Sequence, residues 1–318
     1  IKDFDTEKLK TIFTELEFAT LGKRILTELS DPKDDEDLDK STDIPVSSDL
    51  FSAEEELKNI TTEKHEYILV NDEEKLNALI QVLDQSDSFC FDTETTGINA
   101  QTAELVGISF SVEQAKAYYV PVDENYEDAR SKVERFRHLF ESKDKMKIGQ
   151  NLKYDISILS WYDIDFAGPL FDTMIAHYLI APDSKHGMDF LSRKYLNYEP
   201  VSIESLIGKK GSEQLSMRNV NIETVSDYAC EDADITIQLK IVLEEEAKKA
   251  GILDLLNEME APLIYVLSSM ENEGVKMDPE ALYSFSKELA VDIEKIQSEI
   301  HELAGVNFNI ASPKQMGE

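Results

Sequence analysis

Ser88-Phe-Cys-Phe-Asp-Thr-Glu-Thr-Thr-Gly97 decides the fold. Its unbroken apolar opening predicts a buried strand, and Gly97 predicts the turn that ends it. Strand side chains alternate with a period of two, so Asp92 and Glu94 leave one face while Phe91 enters the other. Two acids emerging together from an apolar strand are costly unless compensated, and a divalent cation is one way to compensate them.

The pattern continues on both sides of this strand. Tyr67-Ile-Leu-Val70 predicts a short strand and Glu73–Leu83 an amphipathic helix. Leu105–Val112 and Ala115–Val120 predict two further strands, close enough in sequence for an antiparallel meander. A charged helix around Arg130–Phe140, a strand at Met146–Gly149 and helices at Asn151–Trp161 and Asp172–Ile180 follow, and then a long helix from about Glu223 to Ala250. Three meandering strands followed by α/β alternation predict an α/β domain over residues 66–250, one mixed β-sheet flanked by helices.

Residues 1–30 read as a helical N-terminal segment, with Leu9, Ile12, Phe13, Leu16, Phe18 and Leu21 at near-helical spacing. Residues 31–65 read as an acidic linker, with eleven acids against two lysines between Asp31 and Glu56. Residues 251–318 read as a helical C-terminal extension: a helix at Leu253–Asn272, a turn at Gly274–Pro279, and a helix at Pro279–Ala304. That last helix carries Leu282, Phe285, Leu289, Ile293, Ile296, Ile300 and Leu303 on one stripe, an apolar face that expects a partner. The start at Ile1, without an initiating Met, leads us to expect a piece of a longer chain whose next domain has only begun.

With 42% hydrophobic residues, 12 Gly and 9 Pro in 318 residues, collagen, a coiled-coil rod and a wholly disordered chain are excluded. No apolar run approaches the ~18 residues of a membrane helix, and no signal peptide is evident, so a cytoplasmic protein without a membrane partner is expected. Cys90 and Cys230 lack the paired spacing of a zinc site. The five histidines form no His-x-x-x-His pair, so any metal is expected to be a hard ion held by carboxylates. The balance of 32 basic and 65 acidic residues, 32 − 65 = −33, argues against a protein that coats nucleic acid by counterion release. It leaves room for an enzyme that takes one strand end into a small site where cations reverse the local sign.

Two more segments carry chemistry. In Gly149-Gln-Asn-Leu-Lys-Tyr-Asp155, Gly149 closes a strand, Asn151 is expected to cap the next helix, and Asp155 sits one turn in on the same face. In Tyr228-Ala-Cys-Glu-Asp-Ala-Asp234, Tyr228 and Asp232 are four residues apart and share a stripe of the long helix, whereas Asp234 lies about 200° further round. Attraction to a helix N-terminus is the expected role of Asp227, Glu231 and Asp234. Asp92, Glu94, Asp155 and Asp232 give four carboxylates without histidine, as two hard cations ~3.5–4 Å apart require for phosphoryl chemistry.

These three segments resemble the exonuclease motifs of the DEDD superfamily, tyrosine subclass, and within it the proofreading domain of the bacterial family A DNA polymerases, the DNA polymerase I family. Phe171-Asp-Thr-Met174, Gly187-Met-Asp189 and Asn272–Pro279 extend the resemblance in order across residues 66–318, and residues 2–26, with Leu16-Glu-Phe18, resemble the region that follows the 5′-nuclease domain. The resemblance implies an RNase H-like fold and a 3′-5′ exonuclease that uses two divalent cations, Mg²⁺ or Mn²⁺, to release nucleoside 5′-monophosphates. Asp92, Glu94 and Asp232 would hold the first metal, with Asp92 bridging to the second, and Asp155 would support the second largely through water. Tyr228 and Glu94 would position the attacking water.

The same resemblance implies that Ile98, Gln150, Asn151, Tyr154 and Lys185 bind a single-stranded or frayed DNA 3′ end, beside a polymerase domain in the same parent chain. Lys185 stands where relatives often have Arg, and Ile203 where an aromatic is common. Lys143, Lys145, Lys147 and Lys153, with Lys209, Lys210 and Arg218, are expected to form a basic rim around the site. The competing expectations are a ribonuclease D-like exoribonuclease and a catalytically silent domain bracing a polymerase. The C-terminal half speaks against the first, and the intact carboxylates against the second.

Overall fold

The computed structural model describes residues 57–211 and 214–317, together with Lys8. The expected helices of 1–30 and the acidic linker as far as Glu56 lie outside them, Lys8 apart. Residues 57–65, expected as linker, are strapped to the domain: the Lys58 amide donates to Asn197 O at 3.0 Å and the Glu199 amide to Lys58 O at 2.8 Å.

Six strands form one mixed sheet in the order β1-β4-β3-β2-β5-β6: β1 (Glu66–Leu69), β2 (Ser88–Thr95), β3 (Leu105–Glu113), β4 (Lys116–Pro121), β5 (Met146–Gly149) and β6 (Leu170–Asp172). β2, β3 and β4 are the expected antiparallel meander, while β1 joins β4, β5 joins β2 and β6 joins β5 in parallel. With its alternation and its flanking helices, this is the expected α/β class. β6 is an addition: its three residues are too few to show a period, and they open the helix expected from Asp172.

Helices cover both faces: α1 (Glu73–Gln85), α2 (Tyr126–Glu134) and α3 (Leu152–Ser160) on one, α4 (Thr173–Ile180) and α5 (Ile222–Ala250) on the other. The parity of β2 sorts them. Phe89 and Phe91 enter a phenylalanine core with Phe110, Phe136 and Phe140, in which Phe91 meets Phe140 edge-on at 5.1 Å. Full burial of each such ring stabilises by roughly 1.5–3 kcal/mol. The charged helix expected over 130–140 is broken in two, which lets Phe136 stack on Phe110 at 4.8 Å. On the opposite face Cys90 packs with Ala229, Cys230 and Ala233 of α5, whose small side chains allow the helix to lie close on the sheet.

The C-terminal segment divides in its packing. After one helical turn and a π-helical turn, α6 (Ala261–Glu273) places Ala261 and Ile264 in the phenylalanine core. It also bonds to α3, with Ser157 Oγ and Ser268 Oγ 3.0 Å apart and Asn272 Nδ2 donating to Ser160 Oγ at 2.8 Å. By contrast, α7 (Pro279–Ala304) buries no residue, and Leu282, Phe285, Leu289, Ile293 and Ile296 of the expected stripe are exposed. Among the described residues no helix is long and apolar enough to cross a membrane.

Candidate active site

The register of β2 creates the site. Its pairing with β5 ends at Cys90↔Ile148, whereas its pairing with β3 continues through Asp92↔Ser109 and Glu94↔Gly107. Asp92 and Glu94 therefore project past the end of a parallel neighbour, on the face covered by α5. Gly107 leaves the space that Tyr119 fills, since a Cβ there would lie 2.2 Å from the Tyr119 hydroxyl. Gly149 likewise lets the chain turn sharply into α3, since its Cβ would lie 2.3 Å from Leu152 Cδ2.

Helix α5 supplies the third acid. One carboxylate oxygen each from Asp92, Glu94 and Asp232 lies within 4.8 Å of the others, with Asp92 half-buried and the other two buried. Glu94 Oε1 is buried without a hydrogen-bond partner. Loss of solvent pushes Asp92 up to about 7. Burial, then the charge of Asp92, holds Glu94 and Asp232 well above the ordinary carboxylate range. Mutually repelling acids with an orphaned oxygen fit a divalent cation, which takes several oxygen ligands and removes both penalties. Tyr228 lies one turn before Asp232 on the same stripe of α5, and burial beside these acids keeps its phenol protonated.

Asp155 comes from the other face. Helix α3 belongs to the phenylalanine layer, so Asp155 meets Thr93, the residue of opposite parity between Asp92 and Glu94. Its Oδ1 accepts from the Thr93 amide at 3.1 Å and from Thr93 Oγ1 at 2.5 Å. Burial and the nearby charge of Asp92 raise its pKa, and the two Thr93 bonds oppose that rise. It thus flanks the group of three without belonging to it.

Asn151 does not cap α3. It sits in the left-handed region at φ 66° and its side chain makes no capping bond. The cap is Asp172, whose carboxylate accepts from Leu152 N at 2.7 Å and Asn151 N at 3.3 Å, and also from Met174 N at 2.9 Å and Ile175 N at 3.1 Å at the start of α4. The sequence signal for half of this was present, since an Asp directly before an apolar helix is a preferred N-cap. The second helix it serves lies twenty residues back and leaves no local trace.

The residues expected to bind a strand differ in their surroundings. Ile98, Asn151 and Tyr154 line a cavity of about 520 Å³ with Lys153, Ser157 and Glu271. Ile98 is 89% exposed, a bare apolar side chain on the turn after β2. The Tyr154 hydroxyl donates to Gly97 O at 2.5 Å and lies 2.6 Å from Thr95 Oγ1, which fixes the ring beneath that turn. Gln150 has both ends of its amide committed, Oε1 accepting from Thr173 Oγ1 and Nε2 donating to His186 O at 2.8 Å. Lys185 is exposed on the segment after α4. Ile203, at the head of a short helix, is exposed as well.

The expected basic rim is largely absent. Lys147 is buried and donates to Ser142 O and Ala167 O. Lys145 donates to three carbonyls at the end of α1, and Arg218 to Leu105 O and Val122 O. Lys153 is paired with Glu271 at 2.5 Å. Clustered lysines read as surface in a sequence, but these four cations close backbone ends and a helix–helix contact. Lys143, Lys209 and Lys210 are exposed.

Residues 67–248 match the model of the 3′-5′ exonuclease family. The chain belongs to that family. Among curated relatives, the DNA polymerase I of Borreliella burgdorferi is 35% identical over 302 residues, covering 94% of this chain and 32% of the relative. That of Pseudomonas aeruginosa is 34% identical over 262 residues, covering 79% and 29%. The chain thus spans about a third of the length of these relatives. The solved POL domain of Pol1 from M. smegmatis, in complex with DNA primer-template and dNTP, has a TM-score of 0.64 at 19% identity, over 78% of this chain and 39% of that one. Brucella melitensis NrnC with bound Mg²⁺ has a TM-score of 0.51 at 20% identity, over 70% and 98%. These neighbours share the fold expected of an RNase H-like nuclease. The domain described above is a 3′-5′ exonuclease domain of the kind carried by DNA polymerase I, with an acidic cluster suited to divalent cations.

Proposed function

We propose that this 3′-5′ exonuclease domain removes mispaired deoxynucleotides from a single-stranded or frayed DNA 3′ end, in the bacterial cytoplasm and beside a polymerase domain of the same parent chain. The division into an N-terminal helical segment (1–30), an acidic linker (31–65), the nuclease (66–250) and the start of a polymerase domain (251–318) belongs to the same proposal. The observation that carries it is the meeting of Asp92, Glu94 and Asp232 around the partnerless Glu94 oxygen.

Those three carboxylates would hold one divalent cation and, with Asp155, a second. Bound there, Mg²⁺ or Mn²⁺ supplies a lowered pKa for water and an electrophile for the phosphoryl oxygens. The chain's own groups prepare the rest. Tyr228 keeps its proton near neutral pH and so meets a water with a hydroxyl, which can donate as well as accept, rather than with a phenolate, which only accepts. Glu94 accepts from that water. Tyr154, anchored to Gly97 and Thr95, and the bare Ile98 bound the cavity in which a terminal base can stack and wedge.

Incubating the chain with Mg²⁺ and 3′-mismatched DNA, single-stranded DNA or RNA, and resolving the products by chromatography, tests this reading. We expect nucleoside 5′-monophosphates from DNA, and a loss of about 10³-fold or more in Asp92→Ala. Equal release by that variant, or none by the wild type, overturns the reading, and preferential release from RNA moves the substrate to the ribonucleases.

A further inference from the structure

The segment Ala181–Gly187, between α4 and the turn Met188–Leu191, carries Lys185 and is tied down by its neighbour His186. His177 of α4 is fully buried, and its Nδ1 lies 2.7 Å from Nδ1 of His186, with the rings edge-on at 4.9 Å. At that distance one ring nitrogen donates and the other accepts. Tyr195 packs edge-on against His177 at 5.6 Å, so this polar contact sits in an aromatic box. The backbone of His186 is held separately, its carbonyl accepting from Gln150 Nε2 at 2.8 Å. Gln150 is in turn fixed by Thr173 Oγ1, which also donates to Gly149 O at 3.1 Å.

Ring and carbonyl of one residue thus join the end of β5, the start of α4 and the Lys185 segment. Asn151, next to Gln150, lines the cavity that Ile98 and Tyr154 bound. A directional bond inside an apolar box holds one orientation, because a buried imidazole nitrogen that loses its partner is costly.

We propose that His177 and His186, through Gln150, are positioning residues that hold the exposed Lys185 ammonium where the phosphates of a bound strand pass. The proposal rests on the exonuclease reading above. Gln150 then serves as the brace of this latch, its amide already committed, rather than as a contact to the strand.

The test is a double-mutant cycle in the whole chain. His177→Phe keeps volume and apolar packing and removes Nδ1. It should raise KM for a single-stranded oligonucleotide about tenfold while kcat and the Mn²⁺ titration stay within about twofold. His177→Asn, whose amide occupies the place of Nδ1, should recover most of that loss. Lys185→Ala should raise KM similarly, and His177→Phe/Lys185→Ala should be no worse than Lys185→Ala alone, because the latch acts through the lysine. Amide exchange over residues 182–187 should quicken in His177→Phe, and His186→Asn should repeat both effects if that variant fails to fold. Additive losses, an unchanged KM or unchanged exchange overturn the positioning role and leave the nuclease standing. A wild type that releases no nucleotide overturns the nuclease reading itself, while the exchange arm still reports on the latch.

Discussion

Three acids within one turn of α5 are buried, and they live in opposite surroundings. Glu231 accepts from the Tyr198 hydroxyl at 2.6 Å and from Val201 N at 2.8 Å. Asp234 accepts from the Tyr67 hydroxyl at 2.9 Å, Ala115 N at 2.8 Å and Gln238 Nε2 at 2.8 Å. Asp232, between them, faces Asp92 and Glu94 instead. Since α5 begins at Ile222, neither Glu231 nor Asp234 lies in its first turn, and the helix-terminus role expected for them gives way to that of struts clamping α5 to its surroundings. Burial alone therefore does not mark a functional carboxylate. Donors around it make a strut, and other carboxylates around it favour a positive charge.

Substitutions that treat the two kinds of acid alike should separate them sharply. The largest effect is on turnover: Asp232→Ala should lower nucleotide release about 10³-fold, whereas Asp234→Ala should leave it within about twofold, measured on single-stranded DNA with Mg²⁺. Equal losses would erase the distinction. Next comes stability in urea without metal. Asp234→Ala orphans the Ala115 amide and the Tyr67 hydroxyl and should cost about 2–3 kcal/mol, while Asp232→Asn relieves repulsion and should stabilise by about 1 kcal/mol. Changes of the same sign would contradict the comparison.

The smallest effect is a trend with pH. The folded pKa values of Asp92, Glu94, Asp155 and Asp232 are raised above the unfolded values near 4, so the native state holds more protons there. The contribution of Asp92 is fully present below about pH 4 and is lost as pH rises through its folded pKa, about 7, and the other three act in the same direction. The metal-free protein should thus lose stability over that window. The gain in melting temperature on adding Mn²⁺ should grow over the same window, because the cation needs ionised ligands. Melting curves with and without Mn²⁺ that stay parallel across the window would count against the acid cluster as a cation site.

What the sequence made legible was local and periodic. The alternation of β2 placed Asp92 and Glu94 on one face, and the four-residue step placed Tyr228 with Asp232 and turned Asp234 away. The α/β order and the meander followed from strand and helix lengths. Long-range partners were invisible: the parallel pairing of β1 with β4, the reach of Asp172 back to Leu152, and the carbonyls that occupy Lys145 and Lys147. The partners of Gln150 and the backbone of Asn151 were equally invisible, because an amide or a left-handed backbone leaves no periodic mark.

The double cap of Asp172 makes the first turns of α3 and α4 a single cooperative unit, since neither can fray without releasing the acceptor of the other. The loop between Gly149 and Leu152 is thereby stiffened by a group outside it. A sequence drifting under selection for solubility can alter the outer faces of both helices independently, yet cannot exchange this one acid for an amide without loosening two helix starts in the same event.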